Sequence, residues 1–91
     1  MPEVVVEATF VNKAAKLLKK HPERVRRVRR TFAQLAADPF DPALRTKKYD
    51  KQLDIWQSYI EHGTPSAWRI WWHWHPTVAN TIVILSFGPH P

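Results

Sequence analysis

Residues 23–37 carry the most restrictive pattern in the chain. Val25, Val28, Phe32, Leu35 and Ala36 recur at helical spacing and make one apolar stripe. At about 100° per residue, Arg26, Arg27 and Arg30 fall on the opposite side, and Arg24 and Arg29 flank the stripe. A helix of this kind must lay its stripe on an apolar surface made elsewhere in the chain. Its bounds are also written in the sequence. His21-Pro22 stops whatever precedes it, and Pro22 suits a first helical turn, where no N–H partner is needed. Asp38-Pro39 and Asp41-Pro42 end it in a loop.

The back half supplies the surface. Three strands are predicted, at about 54–61, 68–75 and 80–87, with turns at His62-Gly63-Thr64-Pro65 and His75-Pro76-Thr77. Such short connections join antiparallel neighbours. At the front, residues 3–8 are short and rich in β-branched side chains and read as a strand. Thr9 is placed to cap the helix that follows, in which Phe10, Ala14, Leu17 and Leu18 recur at helical spacing. That helix ends near Lys19-Lys20, where cations suit the negative end of the dipole. Residues 43–53 are basic and weakly patterned and read as loop with a short turn. The expectation is one domain over 1–91, an α+β fold of order β-α-α-β-β-β. Two N-terminal helices pack on one face of a small, mainly antiparallel, four-stranded sheet.

Alternation assigns the faces. Trp68, Ile70, Trp72 and Trp74 share one side of their strand and are the core candidates; Arg69, Trp71, His73 and His75 share the other. On the preceding strand Gln57, Tyr59 and Glu61 are polar enough to join the Arg69 side. The last strand is apolar on both faces and belongs in the middle of the sheet.

Composition narrows the function. With no cysteine, disulfides, thiolate zinc sites and cysteine nucleophiles are excluded together, in keeping with a reducing compartment. Residues 1–8 show no signal peptide, and the apolar run Ile82–Leu85 is too short to span a bilayer, so a soluble cytoplasmic protein without a membrane partner is expected. The net charge of +6 favours a polyanionic or acidic partner. Five Trp, four Phe and two Tyr give a chain of 91 residues enough bulk for a core without staples.

The order of elements, together with several local strings, resembles the RelE/ParE toxin superfamily. The strings are Leu35-Ala36-Ala37-Asp38-Pro39, Leu44 followed by Lys47-Lys48, Ile55-Trp56-Gln57-Ser58-Tyr59, Trp68-Arg69-Ile70-Trp71-Trp72 and the ending Phe87-Gly88-Pro89-His90. The resemblance implies a toxin of a type II toxin–antitoxin system, monomeric when free and covered by a cognate antitoxin when bound. RelE-like members are ribosome-dependent, metal-independent mRNA endoribonucleases. ParE-like members share the fold and inhibit DNA gyrase without nuclease chemistry. A non-catalytic basic RNA-binding module is the remaining alternative.

Metal-free cleavage of this kind uses the ribose 2′-oxygen as nucleophile. It needs a base, an acid and cations on the phosphorane. By resemblance Arg69 is the phosphate clamp, its planar fork matching phosphate oxygens; the competing reading is a structural pair with Glu61. His90 matches the family's terminal acid–base position, against an unstructured tail, and His73 is a second acid–base candidate, against a structural histidine. Lys47, Lys48, Arg26, Arg27 and Arg30 are candidates for RNA backbone, or simply solvated charge. Tyr59 and Trp71 are candidates to stack a base, or packing. His73, His75 and His90 invite a metal reading, but the absence of cysteine and of a matching acidic motif argues against it, and no cofactor is expected. One departure stands out: nucleolytic RelE relatives carry Lys or Arg on the second strand, where this chain has Gln57 and Tyr59.

Overall fold

The last strand is central, as its two apolar faces require. In the computed structural model, which describes residues 1–89, β5 (Thr81–Pro89) lies between β1 (Glu3–Val6) and β4 (Trp68–Trp74). The sheet continues through β3 (Ile55–Tyr59) to β2 (Lys47–Asp50), giving the order β1-β5-β4-β3-β2. Two helices, α1 (Val11–Lys20) and α2 (Val25–Ala37), connect β1 to the rest and cover one face. No helix among the described residues is long and apolar enough to cross a membrane.

The α+β class and the helical layer are as expected, and the sheet corrects the rest. It has five strands and is mixed: β1 runs parallel to β5, with Val4 opposite Ile82 and Val6 opposite Ile84. The additional strand, β2, falls in the segment predicted to be loop. Its residues Lys47, Lys48 and Asp50 are poor strand formers, but β2 is an edge, where charged side chains protect an exposed ladder from unwanted pairing. The Asp50 carboxylate then accepts from the N–H groups of Gln52 and Leu53 and turns the chain into β3. Thr9 does not cap α1. It lies inside a 3-10 turn, Ala8–Phe10, that leads directly into the helix. Pro22 opens a second such turn, Pro22–Arg24, ahead of α2.

The core follows the alternation on β4. Trp68, Ile70 and Trp72 are buried against Ala14 of α1, Val28 and Leu35 of α2, and Ile82, Ile84 and Phe87 of β5. Trp72 needs a partner for its indole N–H in this position, and Ser58 Oγ accepts it at 2.9 Å. Ser58 lies 2.7 Å from Thr46 Oγ1, which donates at 2.6 Å to the carbonyl of Pro39. This chain of hydrogen bonds fastens the loop after α2 to the sheet.

Candidate functional site on the open face of the sheet

The helices cover one face of the sheet, and the other face is set by the odd-numbered residues of β4. Register places them in cross-strand rows. Tyr59, Arg69 and Gly88 form one row, and Lys47, Gln57, Trp71 and Ser86 form the next. A third row joins His73 to Val83 and Val5. The pairing of Gln57 and Tyr59 with the Arg69 face therefore holds.

Arg69 is the centre of the first row. Its guanidinium carbon stands 4.7 Å from the centroid of the Tyr59 ring, a cation–π contact that orients the fork without neutralising it. Its buried Nε has no hydrogen-bond partner among the described residues, and no carboxylate among them reaches ion-pair distance. Gly88, directly opposite, has φ of +149°, a conformation that side-chain-bearing residues rarely adopt. Lys47 brings a second cation to the same ring, with Nζ 6.0 Å from its centroid.

Gln57 is almost fully buried in the second row. Its carbonyl accepts from Trp71 Nε1 at 3.2 Å, and its amide nitrogen has no partner among the described residues. Beside it lies an apolar groove of about 420 Å³ floored by Tyr49, Ile55, Trp71, Leu85 and Ser86. Leu85 and Ser86 both reach the groove because β5 is irregular here: Trp71 pairs with Ser86 but Trp72 pairs with Ile84, so Leu85 is an extra residue. The Tyr49 and Trp71 rings meet edge to face at 6.0 Å. The apolar groove and the cation pair adjoin through Trp71 and Gln57.

The remaining candidates divide. His73 lies on the same face as Arg69, but four residues along an extended strand is roughly 13 Å. It lines a separate pocket with Val5, Glu7 and His75, and its Nδ1 is 2.7 Å from the Trp74 carbonyl. Arg69 is not among the residues lining that pocket. Lys48 points away from Lys47, as strand alternation demands: its Nζ is 4.1 Å from the Trp56 centroid and it is ion-paired to Asp54. Arg26 is exposed on α2, whereas Arg27 and Arg30 line a groove with Tyr59 and His62. His90 lies outside the described residues. Among the described residues no three His, Asp or Glu side chains are arranged to hold a metal ion.

Glu61 is not the partner of Arg69. The N–H groups of Ile60 and Glu61 both donate to the Trp68 carbonyl, at 3.0 Å each, and this bulge turns Glu61 toward α2. Arg24 Nε donates to its Oε2 at 2.7 Å, the Trp68 N–H to its Oε1 at 3.2 Å, and Arg27 stands at 3.6 Å. Burial opposes ionisation of this carboxyl, but the Arg24 and Trp68 hydrogen bonds and the two arginine charges outweigh it and hold the pKa below the ordinary carboxylate range.

One contributor was missed. His62 stacks on Tyr59, with centroids 5.4 Å apart and an interplanar angle of 5°. In the sequence it is only the first residue of a turn, and no periodicity marks it. The available signal was its position just past the end of a strand that carries an aromatic.

A sheet bare on one face, bearing Arg69 beside an aromatic groove and backed by two helices, has the fold of the RelE/ParE-like toxins. The structure superposes on a YoeB/ParE toxin from Agrobacterium tumefaciens with a TM-score of 0.71, covering 98% of this chain and 99% of that one at 9% identity. It matches a copper-bound mutant toxin from Helicobacter pylori with a TM-score of 0.68, covering 99% and 96% at 15% identity. No protein-family model matches the sequence, and no curated protein matches it either.

Proposed function

We propose that the chain is the toxin of a type II toxin–antitoxin system and that its open sheet face binds mRNA on the ribosome and cleaves it. One observation carries this reading: Arg69 is a partly buried guanidinium with no carboxylate partner among the described residues, held on an aromatic ring on the face the helices leave bare. A cation kept in such a place is costly unless an anion completes it. A phosphate suits its planar fork.

In this scheme the ribose 2′-oxygen attacks the adjacent phosphorus, and the bond to the 5′-oxygen of the next nucleotide breaks. Arg69 and Lys47 take up the charge that develops on the phosphorane oxygens. Trp71 and Tyr49 offer the groove for a base. His90 is assigned the proton transfers by resemblance, with His73 second because it lines a pocket that Arg69 does not share. The antitoxin is expected to cover the same face, and the free toxin to be a monomer.

The neutral pair Gln57 and Tyr59 favours a second reading, a non-nucleolytic inhibitor of DNA gyrase on the same fold. Mapping mRNA 5′ ends after brief induction separates the two. The first reading expects new ends in translated regions, and expects Arg69→Ala and Arg69→Lys to abolish them and the growth arrest. Intact mRNA together with trapped gyrase–DNA complexes would establish the second. Cleavage by the Arg69→Ala variant at the wild-type rate would remove the proposed mechanism.

A further inference from the structure

Tyr59 and His62 are shared between two cationic places. The Tyr59 ring carries Arg69. Both rings also line a groove of about 410 Å³ between α2 and the end of β3, with Arg27, Arg30, Gln34 and Glu61. Arg27, Arg30 and Gln34 recur at three- and four-residue spacing on α2, so they share one side of the helix over about 10 Å of its length. Glu61 is the acidic residue of the lining, and it is already engaged by Arg24 and the Trp68 N–H, with Arg27 at 3.6 Å. Arg30 has no carboxylate within ion-pair distance among the described residues. The groove therefore carries excess positive charge beside an exposed, flat imidazole that lies nearly parallel to the Tyr59 ring.

We infer that this groove is a second subsite for single-stranded RNA, taking the part of the strand that leaves the Arg69 site. The phosphates lie along Arg30 and Arg27, and a base stacks on the His62–Tyr59 pair. The chemistry selects this ligand. A polar groove with arginines in a line matches successive phosphates. A planar ring at the surface gives stacking that is tolerant of sequence. An acidic peptide would use the charges as well, but it does not pair a planar ring with every charge as a nucleic-acid strand does. Tyr59 belongs to both sites: one ring carries the Arg69 guanidinium and the His62 imidazole. The inference rests on the reading of the open face as an RNA-phosphate site.

The test is anisotropy of fluorescein-labelled 2′-O-methyl RNAs of about three and about ten nucleotides, sizes that bracket one and two subsites. Methylation removes the attacking hydroxyl, so binding is read without cleavage. The full chain is used, with Arg30→Ala and His62→Ala, both at exposed positions. The longer RNA should bind the wild type more tightly. Each variant should lose about five-fold or more on the longer RNA, and Arg30→Ala should lose little on the shorter. Arg30→Ala should also reduce the slope of log K against log salt by about 0.7. Equal binding of both lengths by the wild type overturns the inference. So do variants that bind the longer RNA as the wild type does. Displacement of the RNA by poly-glutamate at equal charge concentration overturns the choice of ligand. Failure of the underlying reading is scored separately, by ribosome-dependent cleavage in Arg69→Ala, which the length dependence does not enter.

Discussion

Replacing Glu61 by glutamine tests the central correction, that this carboxylate ties the β3–β4 bulge to α2 and leaves Arg69 alone. The carboxylate accepts a charged hydrogen bond from Arg24 at 2.7 Å and a backbone bond from Trp68 at 3.2 Å, and its side chain is 11% exposed. A hydrogen bond to a charged group contributes about 1.5–3 kcal/mol. Arg24 keeps 29% of its side chain in water, so screening places the loss at the lower end, about 1.5–2 kcal/mol. The glutamine oxygen still accepts one of the two bonds, so the loss does not exceed that range. For a domain of this size it corresponds to a fall in Tm of about 6–16 °C. The pH dependence carries an independent sign. Folding lowers the Glu61 pKa, so the carboxylate stabilises the fold above its unfolded-state pKa, and that stability drains away as pH falls through the lowered folded value. The wild type should lose stability on that acid limb, and Glu61→Gln should lose correspondingly less. Thermal melts followed by circular dichroism between neutral and acid pH read both effects. A double-mutant cycle then names the partner: coupling of about 1 kcal/mol with Arg24→Gln, and within about 0.5 kcal/mol of zero with Arg69→Gln. Coupling to Arg69, or an unchanged acid limb, would refute the assignment.

Two further substitutions probe the scaffold beneath the site. Ser58→Ala removes the acceptor of the buried Trp72 indole and the link to Thr46, and should cost about 1–3 kcal/mol in urea unfolding without altering RNA binding. Gly88→Ala places a side chain at φ of +149°, with its Cβ 3.4 Å from Leu17 Cδ2, and should destabilise by more than about 1 kcal/mol in the same assay.

What could be read in the sequence was whatever repeats locally. The stripe on α2 gave its extent and buried side, because proline-bearing segments close both ends and Val28 and Leu35 of the stripe enter the core. Alternation on β4 separated Trp68, Ile70 and Trp72 from Arg69 and Trp71, and the structure keeps that division. The losses share a different cause. Strand β2 exists because β3 offers it a ladder, so its own composition reflects edge protection. The parallel pairing of β1 with β5 joins residues almost eighty positions apart, a contact that no window can see. Glu61 changed sides because a single bulged residue shifts the side-chain phase, which is the step where alternation fails. His73 was rightly placed on the Arg69 face. Sharing a face is weaker than sharing a site, and the rise of an extended strand makes the difference.

The same register changes the meaning of the departure at Gln57 and Tyr59. Taken alone, the neutral pair leaves β3 without a cation on the open face. In the sheet, neither residue is idle: Gln57 holds the Trp71 indole at 3.2 Å and Tyr59 holds Arg69 at 4.7 Å. The cation absent from β3 is offered by the neighbouring edge. Lys47 pairs with Gln57 across the ladder and extends to the Tyr59 ring. Gln57 is buried and Lys47 is exposed, so the cation stands where water still reaches the ammonium; a lysine buried at the Gln57 position would tend to lose its proton. The face keeps two cations, on β4 and β2, on either side of an aromatic that orients both. A site built this way depends on the β2–β3 pairing as much as on any one side chain.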